Sequence, residues 1–166
     1  MKYTLFMSNV TIYFWTAFLA FLPISELRGA IPFAMANHVP WYIAFAVAVF
    51  FNALVAPACW IFLSTLHKLF LKISWYKKIF ERFIERARNK LHESIERWGW
   101  LGIAVFVAIP IPFTGAWTGT LGAWVLGLSK RKTMIAVILG VAGAGAIVTI
   151  VMLLGIQALN IFIKKT

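Results

Sequence analysis

The sequence predicts an all-α integral membrane protein: two re-entrant helical hairpins and two long transmembrane helices arranged as an inverted repeat, with a cytoplasmic amphipathic helix between the halves. Three observations predict it. Apolar residues make up 62% of the 166 and charged residues only 13%, against roughly 25% charged in soluble domains. The apolar stretches come in pairs, broken at proline and glycine. The basic residues, 16 against five acids for a net charge of +11, are clustered, and clusters of that kind set membrane orientation. The chain is of a length for one membrane domain, 1–166, divided into 1–66, 67–98 and 99–166.

Crossing a hydrocarbon core of about 30 Å takes roughly 20 apolar helical residues. Residues 41–66, interrupted only by Asn52 and Pro57, meet that length, as do residues 134–163, which carry Gly140, Gly143 and Gly145. The other apolar segments are paired arms, 3–22 with 30–36 and 99–109 with 113–128. Most of these arms are too short to span, which leaves two readings, a re-entrant hairpin or a kinked crossing. Charge decides between them. Lys68, Lys72, Lys77, Lys78, Arg82, Arg86, Arg88, Lys90 and Arg97 put the connector 67–98 in the cytoplasm. A second hairpin brings Lys130, Arg131 and Lys132 back to that side, whereas a crossing strands them outside. The hairpin is therefore preferred, and by the same logic the first segment enters from outside and turns near residues 25–29.

This places the protein in the plasma membrane as a multi-pass chain with both termini outside. A cleaved signal peptide is a poorer reading, since Glu26 and Arg28 interrupt the route to a small-residue site at 34–36. Hairpin plus long helix then occurs twice, with opposite membrane orientation, the layout of many secondary transporters. In the connector, Tyr76, Phe80, Phe83, Ala87, Leu91, Ile95 and Trp98 recur at helical spacing opposite a charged face. Such a helix lies on the inner membrane surface or packs on its own protein. Nucleic-acid binding is disfavoured, because four glutamates alternate with the cations and no stacking platform accompanies them.

Glu26 is the one acid outside the connector, and it sits in the apolar part with Arg28 two residues on. A charge at mid-bilayer costs about 2.5–3.5 kcal/mol on insertion scales, so the pair needs a compensating role. Pro23 before it, and Gly29 and Pro32 after it, predict an unwound turn in which both side chains converge. Glu26 then suits a proton-coupling carboxyl, and Arg28 a donor fork for phosphate or carboxylate. A structural ion pair pinning the hairpin is the alternative. The second turn supplies Pro110, Pro112 and Gly115, with Thr114 and Thr118 as candidate cavity-lining, substrate-binding hydroxyls. Gly115, Gly119 and Ala123 make a small-residue face suited to tight packing and to a homodimer.

His38, His67 and His92 have no metal-ligand spacing, the lone Cys59 has no disulfide partner, and no nucleophile or phosphate-loop motif is present. No metal, no cofactor and no enzymatic activity are expected.

The run Glu26-Leu27-Arg28-Gly29-Ala30-Ile31-Pro32, with Pro110-Ile111-Pro112-Phe113-Thr114-Gly115-Ala116 and the glycine-rich last span, resembles the small multi-drug export protein family. That family is similar to the DedA superfamily of membrane proteins. The resemblance implies paired re-entrant hairpins and proton-linked transport, or flipping, of an amphipathic substrate such as a phosphate-bearing lipid carrier. Membrane lipids, protons and that substrate are then the partners. Two alternatives stay open: an exporter of lipophilic cationic drugs that uses Glu26 as counter-charge, and a non-transporting scaffold or assembly factor that works through the connector.

Overall fold

The computed structural model describes residues 9–65, 81–82, 85, 98–111 and 114–164, with side chains as far as Gln157. Apart from the isolated residues 81, 82, 85 and 98, the expected amphipathic connector lies outside the described residues, as does Pro112. Seven helices run in order among the described residues, with no strand: α1 (Asn9–Phe21), α2 (Glu26–Ala36), α3 (Trp41–Ala53), α4 (Val55–Thr65), α5 (Leu101–Ala108), α6 (Ala116–Val125) and α7 (Lys130–Lys164).

Two spans are long and apolar enough to cross a membrane, Trp41–Thr65 with 25 residues and Lys130–Gln157 with 28. At 1.5 Å per residue they reach about 38 and 42 Å, beyond the roughly 30 Å of hydrocarbon. The first is made of α3 and α4, jointed at Leu54. Pro57 causes the joint, because its nitrogen carries no hydrogen for the carbonyl of Ala53 and its ring crowds that oxygen. The ladder resumes on either side, with Leu54 N–H on the Phe50 carbonyl and Ala58 N–H on the Leu54 carbonyl, both at 3.2 Å. The other four helices have 8 to 13 described residues each; α2, α5 and α6 are too short to cross alone.

Small residues fill much of the apolar interior while many large apolar side chains face outward. Ala30, Ala34, Ala44, Ala48, Ala56 and Ala116 are fully buried, while Phe14, Phe18, Ile138, Leu139, Ile150 and Leu154 face outward. Only 33% of each span's most apolar window is covered by the protein itself. Large aliphatic and aromatic side chains spread over both long spans suit lipid rather than water. The small residues are used between helices. A Cβ on Gly140 would stand 2.7 Å from the Ala104 carbonyl oxygen and 2.6 Å from Cβ of Val107, so glycine lets α7 lie against α5.

α1 and α2 pack on each other and on α3, α5 and α6 pack on α7, and the two sets interlock through α2 on α7 and α6 on α4. Three buried hydroxyls are satisfied within their own helix: those of Thr16, Thr120 and Thr149 donate to carbonyls four residues back at 2.7–2.8 Å. No buried side-chain N or O among the described residues lacks a hydrogen-bond partner.

The structure corrects one local expectation. Gly29 and Pro32 belong to α2, not to an unwound turn. The reversal runs through residues 22–26, Glu26 being both its last residue and the first of α2. Its backbone takes the turn itself, with φ at 46°, so glycine is not needed there. Pro32 is tolerated seven residues into α2, where it removes only the N–H that would close on the Arg28 carbonyl.

Candidate functional site

Pro23 ends α1 because it has no N–H for the Leu19 carbonyl. The chain reverses while Glu26 N–H closes on the Leu22 carbonyl at 3.0 Å. The reversal leaves Ile24 at the tip, 96% exposed. It also leaves the last carbonyls of α1 without helical partners, a cost of several kcal/mol each in hydrocarbon. Other elements meet them. Asn52 of α3, fully buried, donates its amide to the Ala20 carbonyl at 2.6 Å. Trp117 of α6 donates its indole N–H to the Phe21 carbonyl at 2.9 Å and packs edge-on against the Phe21 ring.

The second break is built from the residues after α5. Ile109 is extended, and Pro110 follows with no N–H to continue the helix. The Thr114 hydroxyl stitches the turn, within 2.7 Å of the Ile109 carbonyl and 2.8 Å of the Ile111 carbonyl while accepting from Ile111 N–H at 3.2 Å. Thr118 does the same for the start of α6, accepting from Gly115 N–H at 3.0 Å, one half of a capping box. Both hydroxyls thus hold their own backbone, and both residues border a groove beside Glu26.

The two breaks meet at Glu26. Its side chain is 5% exposed and its carboxyl lies directly on Gly115, where a Cβ would collide with both of its oxygens. The backbone N–H groups of Trp117 and Ala116, at the open end of α6, lie beside it. Arg28 Nη2 lies 3.4 Å from Glu26 Oε2 and donates at the same distance to the Thr114 carbonyl. One carboxylate from the first helix pair therefore caps the helix of the second. Such charge-assisted contacts at a helix N-terminus are among the stronger hydrogen bonds available to a protein.

Two spaces flank this contact. The inner one, about 10 Å³, touches Asn52, Val107, Pro110 and Val141 as well as Glu26 and Arg28, and it has room for about one water molecule. The outer groove, about 160 Å³, runs past Pro23, Ile24, Arg28, Trp117 and Thr118. Pockets for drug-sized ligands measure about 300–1,000 Å³, so neither of these two spaces holds such a molecule whole. Among the described residues no cluster of His, Cys, Asp or Glu suits a metal ion.

Of the residues expected from sequence, Glu26, Arg28, Thr114, Gly115, Thr118 and Pro23 come together at the groove and Pro110 borders the inner space. Gly29 and Pro32 lie within α2. Trp117 was not foreseen. Its only sequence signal is the demand of a buried indole N–H for a partner. Asn52 was legible as a polar residue in a span that either abuts the first turn or is merely tolerated there, and it bonds to Ala20 just before that turn.

An all-helical membrane protein with two lipid-length spans, and a buried Glu–Arg pair where two broken helix pairs meet, is the class that the fold and the site define. Within that class, the chain belongs to the family described as "Putative small multi-drug export protein", which it matches over residues 26–147. That match begins at Glu26 and takes in the whole contact. Compared with curated proteins and with solved structures, the chain matches none.

Proposed function

We propose that the protein is a small DedA-like, proton-linked membrane transporter that moves or flips an anionic amphiphile, the chemistry of a phosphate-bearing lipid carrier. The observation that carries the reading is the Glu26 carboxylate, buried between the helix pairs and held by Arg28 and the start of α6. Protonation removes the charge that Arg28 and the two N–H groups face. The lock between the pairs then loosens, which couples a proton to opening. Arg28, 23% exposed at the groove and touching both partners through Nη2 alone, keeps the rest of its fork for an incoming anion.

Two re-entrant hairpins in an inverted repeat are the architecture this reading needs, and several features support them. α2, α5 and α6 are too short to span, and α1 packs back along α2. α2 ends with His38 at φ 63°, Val39 N–H on the Ala34 carbonyl and His38 N–H on the Met35 carbonyl. α6 ends the same way, with Gly127 at φ 73°, Leu128 N–H on the Ala123 carbonyl and Gly127 N–H on the Trp124 carbonyl. Both are Schellman motifs, and each is followed within a few residues by a long span. The cytoplasmic placement of 67–98, the outer placement of both termini and the plasma membrane as location belong to the same proposal.

Local charge separates this reading from an exporter of lipophilic cations. Glu26 is matched by Arg28, and the α6 N-terminus adds a partial positive charge of about half an elementary unit. The net field of the site is positive and favours anions. Gly115 and Gly119 of the small-residue face are in contact within the chain, and a homodimer stays part of the proposal. A scaffold role through the connector remains the reading to set against transport.

Flux of a fluorescent alkyl phosphate in reconstituted vesicles tests the proposal. An imposed proton gradient should drive it through the wild-type protein, and Glu26→Gln should abolish that dependence. Full proton-driven flux in the variant would remove Glu26 from the mechanism. Loss of cellular function on neutralising the connector, with Glu26→Gln unaffected, would favour the scaffold.

A further inference from the structure

The Glu26 carboxylate occupies the place an anionic ligand would take. It rests against a residue without a side chain, Gly115, and has the N–H groups of Ala116 and Trp117 and a guanidinium beside it. Backbone N–H groups at a helix start together with an arginine fork are the elements from which phosphate and carboxylate sites are built. The outer groove, about 160 Å³, opens onto the same atoms. It is large enough for a tetrahedral or planar headgroup though not for a whole amphiphile.

We infer that Arg28, Gly115 and the first N–H groups of α6 form an anion seat which the carboxylate of Glu26 fills in this state, so that an external anion enters only as that carboxylate is protonated and withdrawn. This rests on the proposed transport reading and deepens it: proton and anion bind together, making the coupling a symport. A proton–substrate exchanger needs the reverse, each ligand expelling the other. The charge balance supports the joint binding. One carboxylate leaves the seat neutralised and one anion replaces it, so the guanidinium is never buried unpaired, a state that costs several kcal/mol. The groups facing the seat are accounted for. Of the described residues bordering both spaces, Glu26 and Arg28 alone are charged, while Asn52, Thr114, Trp117 and Thr118 are neutral and already bonded within the protein.

Calorimetric binding to the full chain in a neutral detergent tests the seat with two probes whose charge is fixed across the working pH range: an alkyl sulfonate, which carries a headgroup on a chain, and inorganic sulfate, the free anion. Linkage of one proton to one anion makes the wild-type affinity rise by roughly tenfold per pH unit lowered through the titration of Glu26. Glu26→Gln should bind without pH dependence, as tightly as the wild type at acid pH, and Arg28→Gln should lose binding by tenfold or more. Binding of the sulfonate alone assigns the seat to amphiphiles, and equal binding of sulfate assigns it to free anions; either supports the seat. Wild-type affinity that is flat with pH, or that rises with pH, overturns the inference. That readout needs no variant to fold, and Glu26→Ala provides a second removal of the carboxylate. The two readings can fail separately: proton-driven flux with pH-independent binding sinks the seat alone, and pH-linked binding without flux sinks transport alone.

Discussion

Gly115 carries a demand that its backbone does not explain. Its φ of −179° is ordinary extended chain, open to any residue, so glycine is needed for the missing Cβ that would strike the Glu26 carboxyl. Gly115→Ala should therefore destabilise the protein by about 1–3 kcal/mol, the usual range for overpacking. Denaturant unfolding in micelles measures it. Paired with Glu26→Ala the penalty should shrink, since the clash has then lost its second partner; additive effects in the double variant would contradict the contact. Asn52 makes a complementary case at the end of α1. Asn52→Ala leaves the Ala20 carbonyl unpaired away from water and should cost about 1–3 kcal/mol in the same assay, whereas an unchanged midpoint would show that the bond at 2.6 Å is not used. At this scale the sequence was informative about which residues were out of place and about the pairing of Glu26 with Arg28, and silent about the backbone groups they meet. A lone acid and base in an apolar run announce themselves by their cost. The hydroxyls of Thr114 and Thr118 could not be read as turn stitches, because that role depends on where the chain bends, and Trp117 could not be read at all.

Among the elements, proline marked the breaks and glycine the close contacts, but neither did so everywhere. Pro23, Pro57 and Pro110 each stop or joint a helix by withholding one N–H. Pro32 does not, since α2 tolerates it in its interior, and a reading that treats every proline as a turn overextends the unwound segment by most of a helix. Glycines divide similarly. Gly140 is pressed against α5, while Gly155 on the same helix has nothing within 4 Å of a would-be Cβ. Gly140→Ala should destabilise by about 1–3 kcal/mol; Gly155→Ala should be neutral or stabilise by up to about 1 kcal/mol through reduced backbone freedom. Equal effects at the two positions, followed by thermal unfolding in detergent, would mean that α7 does not pack on α5 through this face. Sequence alone could not rank these glycines, because both lie in one apolar helix and differ only in what stands opposite.

For the molecule as a whole, hydropathy and charge were enough to find two spans and two broken pairs, since the cost of exposing backbone to lipid leaves few other arrangements. They were not enough to show how the pairs interlock. That depends on α2 lying on α7 and α6 on α4, contacts between segments far apart in the chain that no local pattern encodes. The proposed transport turns on depth: it requires that the reversal between α1 and α2, with Ile24 outermost and Glu26 beneath it, lie in the hydrocarbon. A nitroxide attached at position 24, in Ile24→Cys with the chain's one native cysteine removed by Cys59→Ala, measures depth directly in reconstituted bilayers. Collisions with oxygen, which concentrates in lipid, should dominate over collisions with a water-soluble nickel chelate. Dominant quenching by the nickel chelate would put the reversal in water and leave Glu26 and Arg28 as residues of an ordinary surface loop.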